Sequence, residues 1–286
     1  MKFEHTEVFN FEGAFRGMRN PYDSWDKSDS SFGECAYEPE SDAWSVAETY
    51  CEDKNWRDYE DFNKIKEVED KISEKENWLI EQGLNHYDSY SAIGNYNFIG
   101  AKDMKLAQQL IMGGSEHRKF LRQIIVSVDI TAPFYWWKEF DTYKVGTVAN
   151  SCSTMHKLAS YPIGYDNFEM EDSESELEPY EGNPLNPHTT IKTIWDNLIV
   201  DCENLRRAYN ETKDKRYWKE LVRILPESWL QKRTVTMNYE NLRSMYKQRK
   251  NHRLTEWHSF CDWVKTLPYA EDLITFGLDE VKSADN

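Results

Sequence analysis

Residues 116–157 hold the densest set of side chains suited to chemistry. A Glu116-His117 pair follows a Gly113-Gly114 break, and an imidazole on such a turn can meet a ligand or simply face solvent. Further on, Ser151, Cys152 and Ser153 place two hydroxyls and a thiol in a run of small polar residues. They can hydrogen-bond a ligand, and Cys152 can serve as a nucleophile if a base activates it. No histidine can be assigned to Cys152 as that base, and the plain alternative is a polar loop. His156, His188, His252 and His258 lack cysteine or carboxylate partners at ligand spacing, so no metal site is expected.

The charge balance restricts partners. A net charge of −16 argues against a nucleic-acid polymer or an anionic membrane, because both require a cationic surface. Any bound phosphate must lie in a local basic pocket, and basic residues concentrate between Arg206 and Arg253. Arg223 precedes Ile-Leu-Pro at the end of a helical stretch, where the helix dipole alone favours a cation. Arg249 is one of several basic residues on its helix. Arg16 and Arg19, beside Gly13 and Gly17, read as surface arginines on an ordered arm.

The elements that must position these groups follow from periodicity. Residues 102–112 read as a helix stopped by Gly113-Gly114. Ile124, Val126, Val128 and Ile130 alternate with Gln123, Ser127 and Asp129, the period of a half-buried strand. Pro133 then suits the first position of a helix to about Asp141. Residues 190–209 carry the stripe Ile191, Ile194, Leu198, Cys202 and Leu205, a core or subunit-interface helix, and residues 217–225 form a shorter one before Pro226. Residues 233–237 suit a strand, Asn238 is the expected N-cap of a helix over 239–250, and a last helix covers about 254–267.

Around this lie less regular parts. Residues 1–59 show no sustained period, but their aromatics favour a layer packed on the domain. Residues 62–82 are helical in pattern, 85–100 form a Tyr-, Asn- and Gly-rich connection, and 168–187 read as an exposed acidic loop. The resulting division is an N-terminal extension over 1–100, a main domain over 101–270 and a tail over 271–286. With 286 residues the chain can bury a sizeable core, and 14% aromatics with 11 Trp predict an aromatic-rich one that includes Trp136 and Trp137. Five widely spaced cysteines, no apolar run of membrane length and an N-terminus without a secretory pattern point to a cytoplasmic location.

Four blocks, over roughly residues 102–267, resemble the flavin-dependent thymidylate synthases. AKDMKLAQQLIMGGSEHRKF is similar to that family's helix, glycine-histidine turn and Phe-Glu-His segment, and VDITAPFYWWKEF to its strand, Ala-Pro and aromatic helix. TYKVGTVANSCSTMHK lies where the Arg-His-Arg-x-x-Ser loop belongs. ELVRILP and NYENLRSMYKQR are similar to the Glu-x-Ala-Arg-x-x-Leu-Pro and Asn-x-Arg … Leu-Arg blocks.

The resemblance implies an α+β fold with a central antiparallel or mixed sheet flanked by long helices. It implies FAD as cofactor, NADPH and methylenetetrahydrofolate as co-substrates, and methylation of dUMP to dTMP in a homotetramer with inter-subunit sites. Related C5 chemistry on another pyrimidine nucleotide, or an inactive oligomeric protein that binds nucleotide or flavin, are the alternatives. His117 and Asn238 fall on FAD contacts, Ser244 is carried over as another, and Arg223 and Arg249 fall on nucleotide-binding arginines. Thr142, Tyr143 and Lys144 occupy the Arg-His-Arg cofactor positions, so only Lys144 keeps a cation. Glu139 stands where the family commonly has a substrate-binding Gln, and Thr147 replaces the first signature Ser. Cys152 or Ser153 begins the Ser-x-Arg that follows, where a thiolate on pyrimidine C6 is one way to activate C5. Glu240 replaces the arginine of Asn-x-Arg.

Overall fold

A computed structural model of the chain describes residues 1–35, 94–170 and 191–278. The expected helix over 62–82 and residues 171–187 of the acidic loop fall outside them. The described residues group into two compact units. One draws on Met1–Glu7, Val126–Met237 and Arg253–Phe260, and the other on Val8–Ile125, Asn238–His252 and Cys261–Asn286.

A four-stranded antiparallel sheet runs mainly through the first unit, built from β1 (Lys2–Phe9), β4 (Ile125–Pro133), β5 (Val148–Ser151) and β6 (Leu230–Asn238) in the order β1-β4-β6-β5. β4 follows its sequence pattern. Val126, Val128, Ile130 and Ala132 are buried while Ser127, Asp129 and Thr131 turn outward, because successive side chains on a strand face opposite ways. Pro133 ends the strand as the cap residue before helix α3 (Phe134–Phe140), one position earlier than expected. The unpaired helix-start amides of Phe134 and Tyr135 donate to Trp229 and Glu227 carbonyls at 3.1 and 3.2 Å. β5 corrects the reading of this region as a polar loop. Its four residues are all exposed, and they join the sheet by pairing with β6, Val148 opposite Thr236 and Ser151 opposite Arg233.

The core of this unit is aromatic. Trp136 lies 4.9 Å from Trp137, 5.0 Å from Phe140 and 4.9 Å from Trp257 between ring centroids. A second cluster packs Leu158, Ile163 and Phe168 against helices α5 (Ile191–Thr212) and α6 (Lys215–Ile224) through Ile199, Cys202 and Leu221. The buried stripe of α5 includes Cys202 as expected, but Ile194 is exposed and Ile199 takes the inner position. Burial pushes the Cys202 thiol up to about 11.

Glu203 ties this cluster together. Its carboxylate accepts Arg206 Nε and Nη2 at 2.7 and 2.8 Å, Arg207 Nε at 2.8 Å and the Ile163 amide at 2.9 Å. The Arg206 bonds, helped by the Ile163 amide and Arg207, outweigh desolvation and hold its pKa down at about 2, from the usual 4.5. A depressed carboxylate stabilises the fold above its unfolded pKa, and that stability is lost as pH falls from about 4.5 towards 2. Urea denaturation should therefore show Glu203→Gln to be weaker than the parent by about 2 kcal/mol at neutral pH, with the gap closing towards pH 2. A gap that stays constant with pH would refute the assignment.

In the second unit, β2 (Ser31–Cys35) and β3 (Gly94–Phe98) form an antiparallel ribbon, Ser31 opposite Phe98, so the end of the expected connection is a strand. Helix α1 (Phe11–Arg19) buries Phe11, Ala14, Phe15 and Met18 on one face. Together with β1, it shows that residues 1–35 are largely regular, contrary to the irregular layer expected; of their aromatics Phe11 and Phe15 are buried, whereas Phe9, Tyr22 and Trp25 are exposed. Helix α2 (Ala101–Met112) is capped at long range by Asp29, which accepts the Lys102 and Asp103 amides at 2.8 and 3.0 Å. Partial burial pushes the Asp29 carboxyl up, but those amides bring it below the usual range. Arg19 is buried against Asp103 rather than exposed. Asn238 caps helix α7 (Tyr239–Arg249) as expected, exchanging side-chain bonds with Asn241 in a capping box. Helix α8 (Thr255–Lys265) and a π-type turn, Ala270–Ile274, follow, and Leu273 and Ile274 of that turn are buried.

Candidate functional site

The anticipated side chains fall into separate sets. Ser151 ends β5, Cys152 N bonds the Lys232 carbonyl at 2.9 Å, and Ser153 caps the short helix α4 (Thr154–Lys157) by accepting the His156 amide at 3.2 Å. Gln231 Nε2 donates to the Cys152 carbonyl at 3.0 Å and to Thr154 Oγ1 at 3.2 Å, so β6 fixes the start of this segment. Cys152 and Ser153 border an open cavity of ≈ 610 Å³ with Lys157, Tyr161, Trp229 and Lys232 on its walls.

The electrostatics of that cavity are balanced. Lys2, Lys157 and Lys232 line it together with Glu4, Asp166 and Glu169. Lys232 is already engaged, 3.0 Å from Glu4 and 3.3 Å from Asp129, while Thr234 Oγ1 donates to Asp129 at 2.6 Å. The bonds to Lys232 lower Glu4, the bond from Thr234 leads in lowering Asp129, and the carboxylate bonds, Glu4 first, raise Lys232. No histidine is among the lining residues, so Cys152 has no imidazole there to deprotonate it.

Glu139, Thr142 and Tyr143 lie instead at the end of α3. Glu139 Oε2 accepts Trp257 Nε1 at 3.1 Å, and Thr142 Oγ1 donates to the Glu139 carbonyl at 2.7 Å. The Tyr143 ring packs on Phe140 and Trp257, and its carbonyl accepts Thr147 Oγ1. Lys144 is exposed and makes no ion pair or hydrogen bond with a described residue. Arg223 is exposed on α6, paired with Glu220 one turn earlier. An exposed pair of this kind is held by roughly 0.2–1 kcal/mol, so a ligand can displace it.

The other candidates belong to the second unit. His117 follows α2 on a turn that Gly114 makes possible with φ +104, a conformation costly for any residue with a Cβ. Its amide bonds the Gly114 carbonyl at 3.0 Å, and its exposed ring lies where a Cβ on Gly113 would come within 3.3 Å of it. Asn238 uses Oδ1 for its cap but keeps Nδ2 clear of every described acceptor. Ser244 Oγ accepts Gln248 Nε2 at 3.2 Å, and Arg249 is half-buried in the last turn of α7. Sequence reasoning missed Arg118, beside His117, whose Nε donates to Glu240 at 2.7 Å. It also missed Arg243, buried one turn beyond Glu240. Of the three clustered side chains only Glu240 had been singled out, beside the candidates His117 and Asn238.

Several cations between Arg206 and Arg253, where an anion site was expected, meet carboxylates of the chain itself. Arg206 and Arg207 hold Glu203, Arg216 holds Asp214, and Arg223 holds Glu220. Arg233 bonds Asp141 at 2.7 Å and stacks 4.2 Å over the Trp137 ring. Among the described residues no group of three His, Cys, Asp or Glu side chains is placed to hold a metal ion, and no helix is long and apolar enough to cross a membrane.

No family model and no curated protein matches the sequence. Among solved structures the chain is similar to thymidylate synthase X from Helicobacter pylori with FAD and dUMP. The identity is 14% and the TM-score 0.52, over 98% of this chain and 100% of that chain. A flavin-dependent thymidylate synthase structure from the same organism, complexed with FAD and dUMP, gives 17% identity and TM-score 0.44 over 67% of this chain and 87% of that one. A UMP/dUMP methylase from Streptomyces cacaoi bound with 5-Br UMP gives 14% identity and TM-score 0.43 over 62% and 84%. Identities this low speak for architecture alone, and the first likeness, over nearly all of both chains, carries it: the chain has the α+β fold of the flavin-dependent thymidylate synthases.

Proposed function

We propose that this chain is a flavin-dependent enzyme acting at C5 of a pyrimidine deoxynucleotide, dUMP to dTMP in the simplest form. Methylenetetrahydrofolate and NADPH would be its co-substrates, a homotetramer its working state and the cytoplasm its location. The observation that carries the reading is the near full-length likeness to a fold solved with FAD and dUMP, an argument by analogy of fold. The donors of the second unit fit a cofactor with phosphates: the Asn238 amide, the Ser244 hydroxyl and the cations of α7 are donors on one helix and its cap. Bound reduced flavin supplies a hydride; the residues of the chain bind and orient.

Lys144, unpaired among the described residues, is the cation of the altered loop that can meet an anionic group. Arg223 can exchange Glu220 for a nucleotide phosphate, since a guanidinium fork fits both acceptors. Ser151, Cys152 and Ser153 supply hydroxyl and thiol contacts, and Cys152 is not assigned as nucleophile. A second reading, an inactive nucleotide- or flavin-binding protein, is favoured by Thr142 and Tyr143 standing at cationic positions and by the pairing of Arg223.

Absorbance tests the flavin. Purified protein, or protein incubated with FAD and desalted, should absorb at about 450 nm. Protein that stays colourless would sink both flavin readings. Arg223→Ala should weaken dUMP binding at least about tenfold, as loss of a charge-assisted contact does, and unchanged affinity would remove that residue from the site. Turnover of dUMP separates the enzyme from the inactive binder.

A further inference from the structure

The His117 side of the second unit holds two arginines and one carboxylate. Glu240 and Arg243 are three residues apart on α7, hence on one face of the helix. Glu240 receives Arg118 Nε at 2.7 Å, and both side chains are largely covered, at 23% and 16% exposure. Arg118 Nη1 also reaches the Ile111 carbonyl at 3.5 Å. Arg243 is only 6% exposed, and its Nη1 donates to the Ile274 and Phe276 carbonyls at 2.7 and 2.8 Å. Burial, then repulsion from Arg118, lowers its pKa, while Glu240 opposes the change, so the three groups lie within electrostatic range of one another.

The hydrogen-bond inventory of this cluster is incomplete. Arg118 Nη2 and both Nε and Nη2 of Arg243 donate to no described residue, yet none is sealed from solvent. Open to solvent, these N–H groups can exchange water for an anionic acceptor. One carboxylate against two guanidiniums leaves a local excess of one positive charge in a chain of net charge −16. Arg206 and Arg207 also share one carboxylate, but both bond it; here only Arg118 does, and among the described residues Arg243 bonds carbonyls alone.

We infer that Arg118 and Arg243, held by Glu240, form an anion site that takes a phosphate group. Planar forks presenting paired N–H donors match phosphate oxygens, whereas the turn carbonyls at 274 and 276 fix only one nitrogen of Arg243. Glu240 orients Arg118 and also competes with the anion, so it sets the affinity. The inference stands on these three side chains and survives if the flavin reading fails, because its probe is inorganic.

Titration calorimetry with sodium pyrophosphate on the full chain is the test, with melting temperature as the folding control. Saturable binding is expected, and Arg118→Gln should weaken it about tenfold, the effect of losing one charge-assisted contact. Glu240→Gln should tighten it about fivefold by removing a like charge beside the anion. Lys119→Gln, on the exposed neighbour, should change neither. No saturable heat with the parent protein, or an Arg118→Gln protein that binds as well as the parent, would overturn the site. Should Arg118→Gln fail to fold, Glu240→Gln decides alone: tighter binding supports the site, and unchanged or weaker binding refutes it. Competition by FAD but not dUMP would assign the phosphate to a diphosphate, and competition by dUMP to a monoester; both support the site. Arg243 is left intact because its carbonyl bonds hold the turn at 274–276.

Discussion

Asp103→Ala is expected to destabilise the chain by about 3–5 kcal/mol, the cost of breaking a buried ion pair from one side. Asp103 is fully buried and accepts Arg19, Ser28 and Ser30 together. Removing it leaves the Arg19 guanidinium, 6% exposed, with only the Ser24 carbonyl and hydroxyl as acceptors among the described residues. The Asp103 amide also belongs to the first turn of α2 that Asp29 caps, so the damage should reach that helix. Urea denaturation followed by circular dichroism measures it. The double variant Arg19→Met, Asp103→Leu should recover most of the loss, since apolar replacement of a whole buried pair is often near neutral. A single variant costing less than about 1 kcal/mol would show that Arg19 finds other partners.

Trp136→Ala should cost a similar amount, about 3–5 kcal/mol, because it empties the centre of the aromatic cluster of the first unit. Trp136 is fully buried and contacts Trp137, Phe140, Trp257 and Phe260. Its indole Nε1 is buried without an acceptor among the described residues, a penalty already present in the native state. Trp136→Phe removes that penalty along with some volume, and it should cost less than Trp257→Phe, which takes a 3.1 Å donor away from Glu139. Thermal melts of the three variants give the order directly. If Trp136→Phe proves costlier than Trp257→Phe, the unpartnered N–H is not a native-state burden.

The site readings divide in the same way as these two predictions. The turn carrying His117 was legible because Gly113-Gly114 is a local stop signal, and the Asn238 cap because a capping asparagine precedes an apolar-periodic stretch. The fate of the cations was not. Whether an arginine is available to a ligand depends on the carboxylate beside it in space. Arg118 and Glu240 are 122 positions apart, and Arg19 and Asp103 are 84 apart. Exposed arginines on helices, such as Arg223, meet partners one turn away, a pattern that sequence allows without requiring.

By itself the sequence determined the elements whose signals are local: the alternation of β4, the proline between it and α3, the helices on either side of Pro226 and Asn238, and an aromatic core. Each follows from backbone geometry or side-chain period within about ten residues. Only the tertiary structure decided that Val148–Ser151 is a strand, since a fully exposed edge of four residues shows no alternation and exists through pairing with β6. It also decided that Lys2–Phe9 belongs to the sheet, and that Arg243, buried on α7, bonds main-chain carbonyls and no carboxylate of a described residue. Charge pairing and strand pairing are long-range, and the energy that selects them arises only after the chain has brought distant residues together.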